Sequence, residues 1–144
     1  MSAKMMLLVA AILGATAVTL GAFGAHGLPD FLVKQNLAPE VFAKRIHDWD
    51  VASQYLMYHA LAMFGCGILA HLRPSLSLSL ASWFFTLGAL IFSGMLYALV
   101  LLNMPKPLGM IVPIGGLLMI FGWITLAWAG GGYCRYERRT DLAK

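Results

Sequence analysis

The sequence predicts an all-α integral membrane protein: a single four-helix transmembrane bundle with a short interfacial amphipathic helix between spans 1 and 2. Three observations carry that reading. Of the 144 residues, 60% are apolar and only 11% are charged, where soluble domains hold about 45–50% and about 25%. All Asp, Glu, Lys and Arg residues fall outside four stretches, residues 5–25, 51–72, 80–102 and 109–133. Each stretch is as long as the roughly 20 helical residues needed to cross about 30 Å of hydrocarbon. This composition excludes an ordinary soluble globule, a disordered chain and a nucleic-acid binder. The net charge of +4 is modest, and the basic residues form short clusters rather than a phosphate-tracking groove.

The spans are helical because lipid offers backbone groups no hydrogen-bond partner, and because barrel strands would alternate and last only about ten residues. The first stretch, preceded by Lys4, has some features of a secretory leader, with Ala22-Phe23-Gly24 as a cleavage-like site. Its apolar run is longer than a leader's usual 7–15 or so residues, so it reads as a span. Carried along helix 1 are Ala17, Gly21 and Ala25 at spacing four, with Gly14 and Gly24 beside them. Small residues at that period let backbones approach closely, chiefly inside the same bundle and alternatively at a homo-oligomer interface.

Residues 26–50 connect spans 1 and 2. Pro29 and Pro39 both suit the first turn of a helix. After Pro39, Phe42, Ile46 and Trp49 recur at helical spacing, with Glu40, Lys44 and Asp48 on other faces. Two readings fit this pattern: a short helix lying in the membrane interface with Trp49 at headgroup depth, or a cap over the open end of the bundle. The connections 73–79 and 103–108 are short, which makes spans 2, 3 and 4 antiparallel neighbours. Residues 134–144 form a polar tail with three arginines, read as a solvated cytoplasmic end. Cys66 lies mid-span and Cys134 near the final interface, too far apart in depth to form a disulfide.

Four spans place both termini on one side. That side holds Lys4, Arg73, Arg135, Arg138, Arg139 and Lys144, and the other holds Lys34, Lys44, Arg45 and Lys106. The positive-inside rule then orients both termini toward the cytoplasm of a cell (inner) membrane, or toward the matrix of a mitochondrial inner membrane.

Polar residues inside spans cost free energy and are the default place to look for function. Near the start of span 2, His47, Asp50, Gln54 and Tyr58 share one helical face, and Asp48, Tyr55 and His59 lie on the adjacent one. His59 sits about 12 Å along the helix from Val51, well inside the hydrocarbon. His26 ends span 1 on the same side, and Ser93 and Tyr97 close span 3 there. Pro113, Gly115 and Gly116 open span 4 on that side as well. The notable residues of all four spans therefore collect in one half of the bilayer, the outer half by the charge count. The other half holds Trp83, Trp123 and Trp128 and reads as packing plus an aromatic belt.

Several roles fit this polar cluster. It fixes packing; it binds a lipid head, a quinone-like molecule or another small ligand; or it passes protons or ions. A metal or haem held by His26 and His59 would lack the three or four ligands such sites normally use, so neither metal nor cofactor is expected. No nucleophile stands with a base and an orienting group, which argues against an enzyme. The expected partners are the lipid bilayer, a lipid or small-molecule ligand, and a second copy or another membrane protein.

Four segments carry a resemblance to a known family. Gly21-Ala22-Phe23-Gly24-Ala25-His26-Gly27-Leu28 and Tyr55-Leu56-Met57-Tyr58-His59-Ala60-Leu61-Ala62 are the more specific two. Phe92-Ser93-Gly94-Met95-Leu96-Tyr97 and Val112-Pro113-Ile114-Gly115-Gly116 continue the match. Together they resemble the domain-of-unknown-function 423 family over nearly the whole chain, with Val112 standing where that family often has Thr. The resemblance implies a small four-span protein of the bacterial inner membrane or the mitochondrion, and it implies no activity. Its signature residues are His26, Tyr58, His59, Ser93, Tyr97, Pro113 and Gly115, the same ones that topology collects on one side.

Overall fold

The computed structural model describes the backbone of residues 1–102 and 106–141, and the side chains of residues 1–102 and 108–131. Among the described residues five α-helices follow one another: α1 (Ala3–His26), α2 (Leu28–Val33), α3 (Pro39–Leu72), α4 (Leu76–Leu101) and α5 (Val112–Asp141), the last entered through a 3-10 turn over Lys106–Ile111. Four helical stretches among them are long and apolar enough to cross a membrane, those of α1, α3, α4 and Leu108–Gly131. Among the described residues Cys66 is a free, buried thiol. The Cys134 side chain, the Lys106 side chain and the charged side chains of the tail lie outside the described residues.

Local chemistry sets the boundaries. Ser2 caps α1 by accepting a hydrogen bond from the Met5 amide, satisfying one of the amides a helix start leaves over. Pro29 and Pro39 stand in the first turns of α2 and α3, where a missing N–H costs nothing. Asn36 takes a left-handed φ of 50° after α2, a conformation Asn tolerates better than most residues. Arg73 is extended at the end of α3, as expected of a residue whose αR conformation is disfavoured by the following Pro74.

The segment after Pro39 corrects one expectation. It is no separate interfacial helix but the beginning of α3, which runs unbroken for 34 residues, about 51 Å at 1.5 Å per residue. The short helix between spans 1 and 2 is α2, beginning at Pro29's turn. Trp49 is 1% exposed, its ring buried in the protein rather than turned outward. Its indole N–H donates to the Leu20 carbonyl at 2.7 Å, and its ring packs on Tyr97 with centroids 4.5 Å apart. Leu28 and Leu32 of α2 complete a small core with Trp49 and Val100, against which Phe42, Ile46 and Leu37 pack. The amphipathic face is thus turned inward, as the cap reading expects. Arg45 ties this cap to α4, donating to Gln35 Oε1 at 2.7 Å and to the Val100 carbonyl at 3.4 Å.

Among the described residues, the extensive helix pairings are α1 on α3, α3 on α4 and α4 on α5. The spans therefore form an open row with α3 and α4 in the middle, and no broad α1–α5 contact closes it. The main core runs along these seams through residues such as Met6, Leu13, Leu56, Met63, Leu78 and Phe85. The small-residue stripe of helix 1 serves the first seam. Ala17 and Gly24 are buried, a Cβ on Gly21 would lie 3.9 Å from Ser53 Cβ, and one on Gly14 would lie 3.9 Å from Ala60 Cβ. Gly24 is the tight point, since a Cβ there would come within 2.5 Å of the Trp49 indole. Ala25 alone of that stripe faces outward. The stripe therefore packs chiefly within the chain, against α3.

Candidate functional site

Most hydroxyls inside the spans are accounted for by their own helices. Thr16, Thr19, Ser82, Thr86 and Thr125 each donate to the carbonyl four residues earlier, which satisfies them in a medium without water. The residues singled out from the sequence behave differently from one another, and the structure sorts them into three sets.

Ser93 and Tyr97 belong to a lock between α3 and α4. Ser93 Oγ, fully buried, donates to the Ala52 carbonyl at 2.8 Å. The Tyr97 hydroxyl lies 3.0 Å from Ser53 Oγ while its ring lies against Trp49. These bonds cross from helix to helix and face away from lipid, so their role is register. His26, Gln54 and Pro113 form the second set: all three are exposed, and no described hydrogen bond joins any of them to the others.

The third set builds a cavity. Tyr55, Tyr58 and His59 stand at i, i+3 and i+4 on α3, and the open row leaves a gap between them and α5 above α4. This groove, about 520 Å³, is lined by those three residues, by Phe92 of α4 and by Gly116, Met119, Ile120 and Trp123 of α5. Gly115 lies beside the groove, in the contact between α4 and α5. A Cβ on it would meet the Phe92 backbone nitrogen at 2.5 Å and the Gly88 carbonyl at 2.8 Å, so α4 and α5 touch backbone to backbone at this level. Gly116, one residue on, has room for a Cβ, which would meet a Phe92 ring carbon at an ordinary contact distance of 3.9 Å.

His59 sits at the inner wall, 5% exposed. Its Nδ1 lies 2.7 Å from the Tyr55 carbonyl, which accepts only, so Nδ1 carries the proton. Its Nε2 then accepts from the Trp123 indole N–H at 3.3 Å. Both ring nitrogens are engaged, and the imidazole is further enclosed by Phe85, 5.5 Å away between centroids. The Tyr55 ring stacks on Phe92 with centroids 4.8 Å apart. Among the described residues no three His, Cys, Asp or Glu side chains are arranged to hold a metal ion.

Trp123 is the residue that sequence reasoning assigned elsewhere, to the aromatic belt of the opposite half. Helical side chains lean toward their helix N-terminus, and for α5 that direction carries the indole back up to His59. Phe92, Met119 and Ile120 were also passed over because they are apolar. The signal for them was present: Gly116, Met119, Ile120 and Trp123 recur at i, i+3, i+4 and i+7, one face of a helix. Trp83 and Trp128 are exposed, as an aromatic belt requires.

Residues 20–116 match the family described as "Protein of unknown function (DUF423)". A UPF0382 membrane protein of Staphylococcus aureus, SAB0533, is 39% identical over 123 residues, 85% of this chain and 92% of that one. The UPF0382 membrane protein YwdK of Bacillus subtilis is 37% identical over 131 residues, 90% of this chain and 98% of its own. No solved structure matches the chain significantly. With similarity of this extent, the chain belongs to the DUF423 family, the UPF0382 membrane proteins, and is an integral membrane protein with four spans.

Proposed function

We propose that this protein is a non-enzymatic membrane binding protein whose α3–α5 groove receives a lipid-like small molecule from the bilayer. One observation carries the reading: a cavity of about 520 Å³ opens between α3 and α5 within the apolar runs, lined by aromatic rings. Its size falls within the roughly 300–1,000 Å³ of small-molecule sites. Two tyrosine hydroxyls support it. Tyr55 and Tyr58 are 40% and 54% exposed, and neither hydroxyl has a protein hydrogen bond among those described. Tyr55 lies about 6 Å and Tyr58 about 10 Å along the helix from Val51, where an unpartnered hydroxyl is costly. A ligand's polar group would relieve that cost. The engaged nitrogens of His59 support a binding rather than a catalytic role, because neither is free to exchange a proton with a substrate. Both termini belong on the cytoplasmic side by the distribution of Lys and Arg.

Native mass spectrometry of gently extracted protein tests the reading. The wild type should carry a stoichiometric small-molecule adduct, and Gly116→Leu, which fills the groove from a position with room for a side chain, should lose it while keeping the wild-type melting curve. A wild type free of any adduct, or an adduct indifferent to Gly116→Leu, would sink the proposal. The cluster would then serve packing alone.

A further inference from the structure

The groove's chemistry constrains the head of its ligand more narrowly than "lipid-like". Among the described residues that line it, none is Asp, Glu, Lys or Arg. It begins several ångströms inside the apolar run of α3, so an anionic phosphate there would have no cation partner among the described lining residues and little water. The polar groups it does offer are the phenolic hydroxyls of Tyr55 and Tyr58, since the Trp123 indole N–H and both His59 nitrogens are already engaged. Phenols donate readily to carbonyl oxygens. The walls are flat: the Tyr55–Phe92 stack lies at a 26° interplanar angle, and Trp123 stands across the groove on α5. Flat rings favour a flat guest, stacked offset or edge to face.

We propose that the groove takes an amphipath whose head is an uncharged, planar ring bearing carbonyl acceptors, chemically a quinone, with its apolar tail lying out in the bilayer, in preference to a phospholipid. The ring stacks between the Tyr55–Phe92 pair and Trp123, and Tyr58 donates to a ring carbonyl. This rests on the groove being a ligand site at all, and the experiment separates the two claims.

The probe is decylubiquinone, titrated into the purified full chain in nanodiscs and read by quenching of tryptophan emission. A Trp83→Phe/Trp128→Phe background leaves Trp49 in the core and Trp123 on the groove. Saturable quenching is expected. Binding should weaken at least tenfold in Gly116→Leu and about fivefold in Tyr58→Phe, the loss of one hydrogen bond. Phosphatidylglycerol and dioleoylglycerol at equal mole fraction should leave the curve unmoved. Displacement by either lipid, or absence of saturable quenching from a protein that still holds a Gly116-sensitive adduct, overturns the quinone assignment and leaves the groove reading standing. Absence of quenching together with absence of any such adduct overturns both. Quenching indifferent to Gly116→Leu and Tyr58→Phe overturns the assignment as well, because the quinone would then be acting from the bilayer.

Discussion

Gly115 and Gly116 are adjacent in sequence and opposite in role. A methyl on Gly115 would collide with the backbone of α4 at 2.5 Å, whereas one on Gly116 has 3.9 Å of clearance. Gly115→Ala should therefore cost about 1–3 kcal/mol through overpacking between two backbones. Gly116→Ala should be neutral or slightly stabilising, since Ala is favoured over Gly in a helix by up to about 1 kcal/mol. Thermal melting of the two variants in one detergent checks this, and equal melting temperatures would contradict the close approach. The His59–Trp123 bond is open to a double-mutant cycle with His59→Leu and Trp123→Phe. Interhelical bonds in membranes average about 0.6 kcal/mol with a maximum near 1.7, so a coupling in that range is expected. Zero coupling would mean that the two rings merely adjoin. His59 was legible in the sequence as a polar residue deep in a span; its partner was not, because a tryptophan is apolar enough to be at home anywhere along such a helix.

Among the elements, α3 differs most from its expected form. Its apolar stripe through Phe42, Ile46 and Trp49 has the same period whether the segment lies flat or continues upright, so periodicity alone left both arrangements open. What settles it is tertiary: the short α2 supplies Leu28 and Leu32 as a surface for that stripe, and Gly24 leaves space for the Trp49 ring. Arg45 bridges the cap to α4. Arg45→Met should loosen the cap without melting the bundle. Hydrogen exchange should speed up at the amides of residues 28–33 while those at the centre of α4 stay protected. Unchanged protection in α2 would show that its leucines hold the cap unaided.

Across the whole molecule, the open row of spans decides where the groove lies. Had α5 closed against α1, the His59–Trp123 pair would be sealed inside a four-sided core. Because α5 packs on α4, a groove is left between its residues and those of α3. The orientation of this row in the membrane rests on charge, with six basic residues on the terminal side and four on the other, and it too can be measured. In a background with Cys66 and Cys134 replaced by Ala, Ser2→Cys should react with an impermeant maleimide only in inverted vesicles, and Lys34→Cys only in right-side-out ones. The reverse labelling pattern would invert the topology and put the groove in the inner half.

Much of this architecture follows from sequence alone, through constraints that are local. Four charge-free runs must be helices and must span, since hydrocarbon tolerates no unpaired backbone. Prolines, caps and the pre-proline residue set helix ends within a turn or two. Likewise, a histidine and tyrosines within a span announce a polar locus. The order in which the helices pack is not local, because apolar faces are interchangeable partners when lipid is as apolar as a neighbouring helix. Only shape chooses between them: Gly115 under Phe92, Gly24 under Trp49, the Trp123 ring leaning toward His59. Those fits divided the sequence's polar cluster into a register lock, a set of exposed residues and a groove with the helix contact beside it, a division that spacing along the chain does not contain.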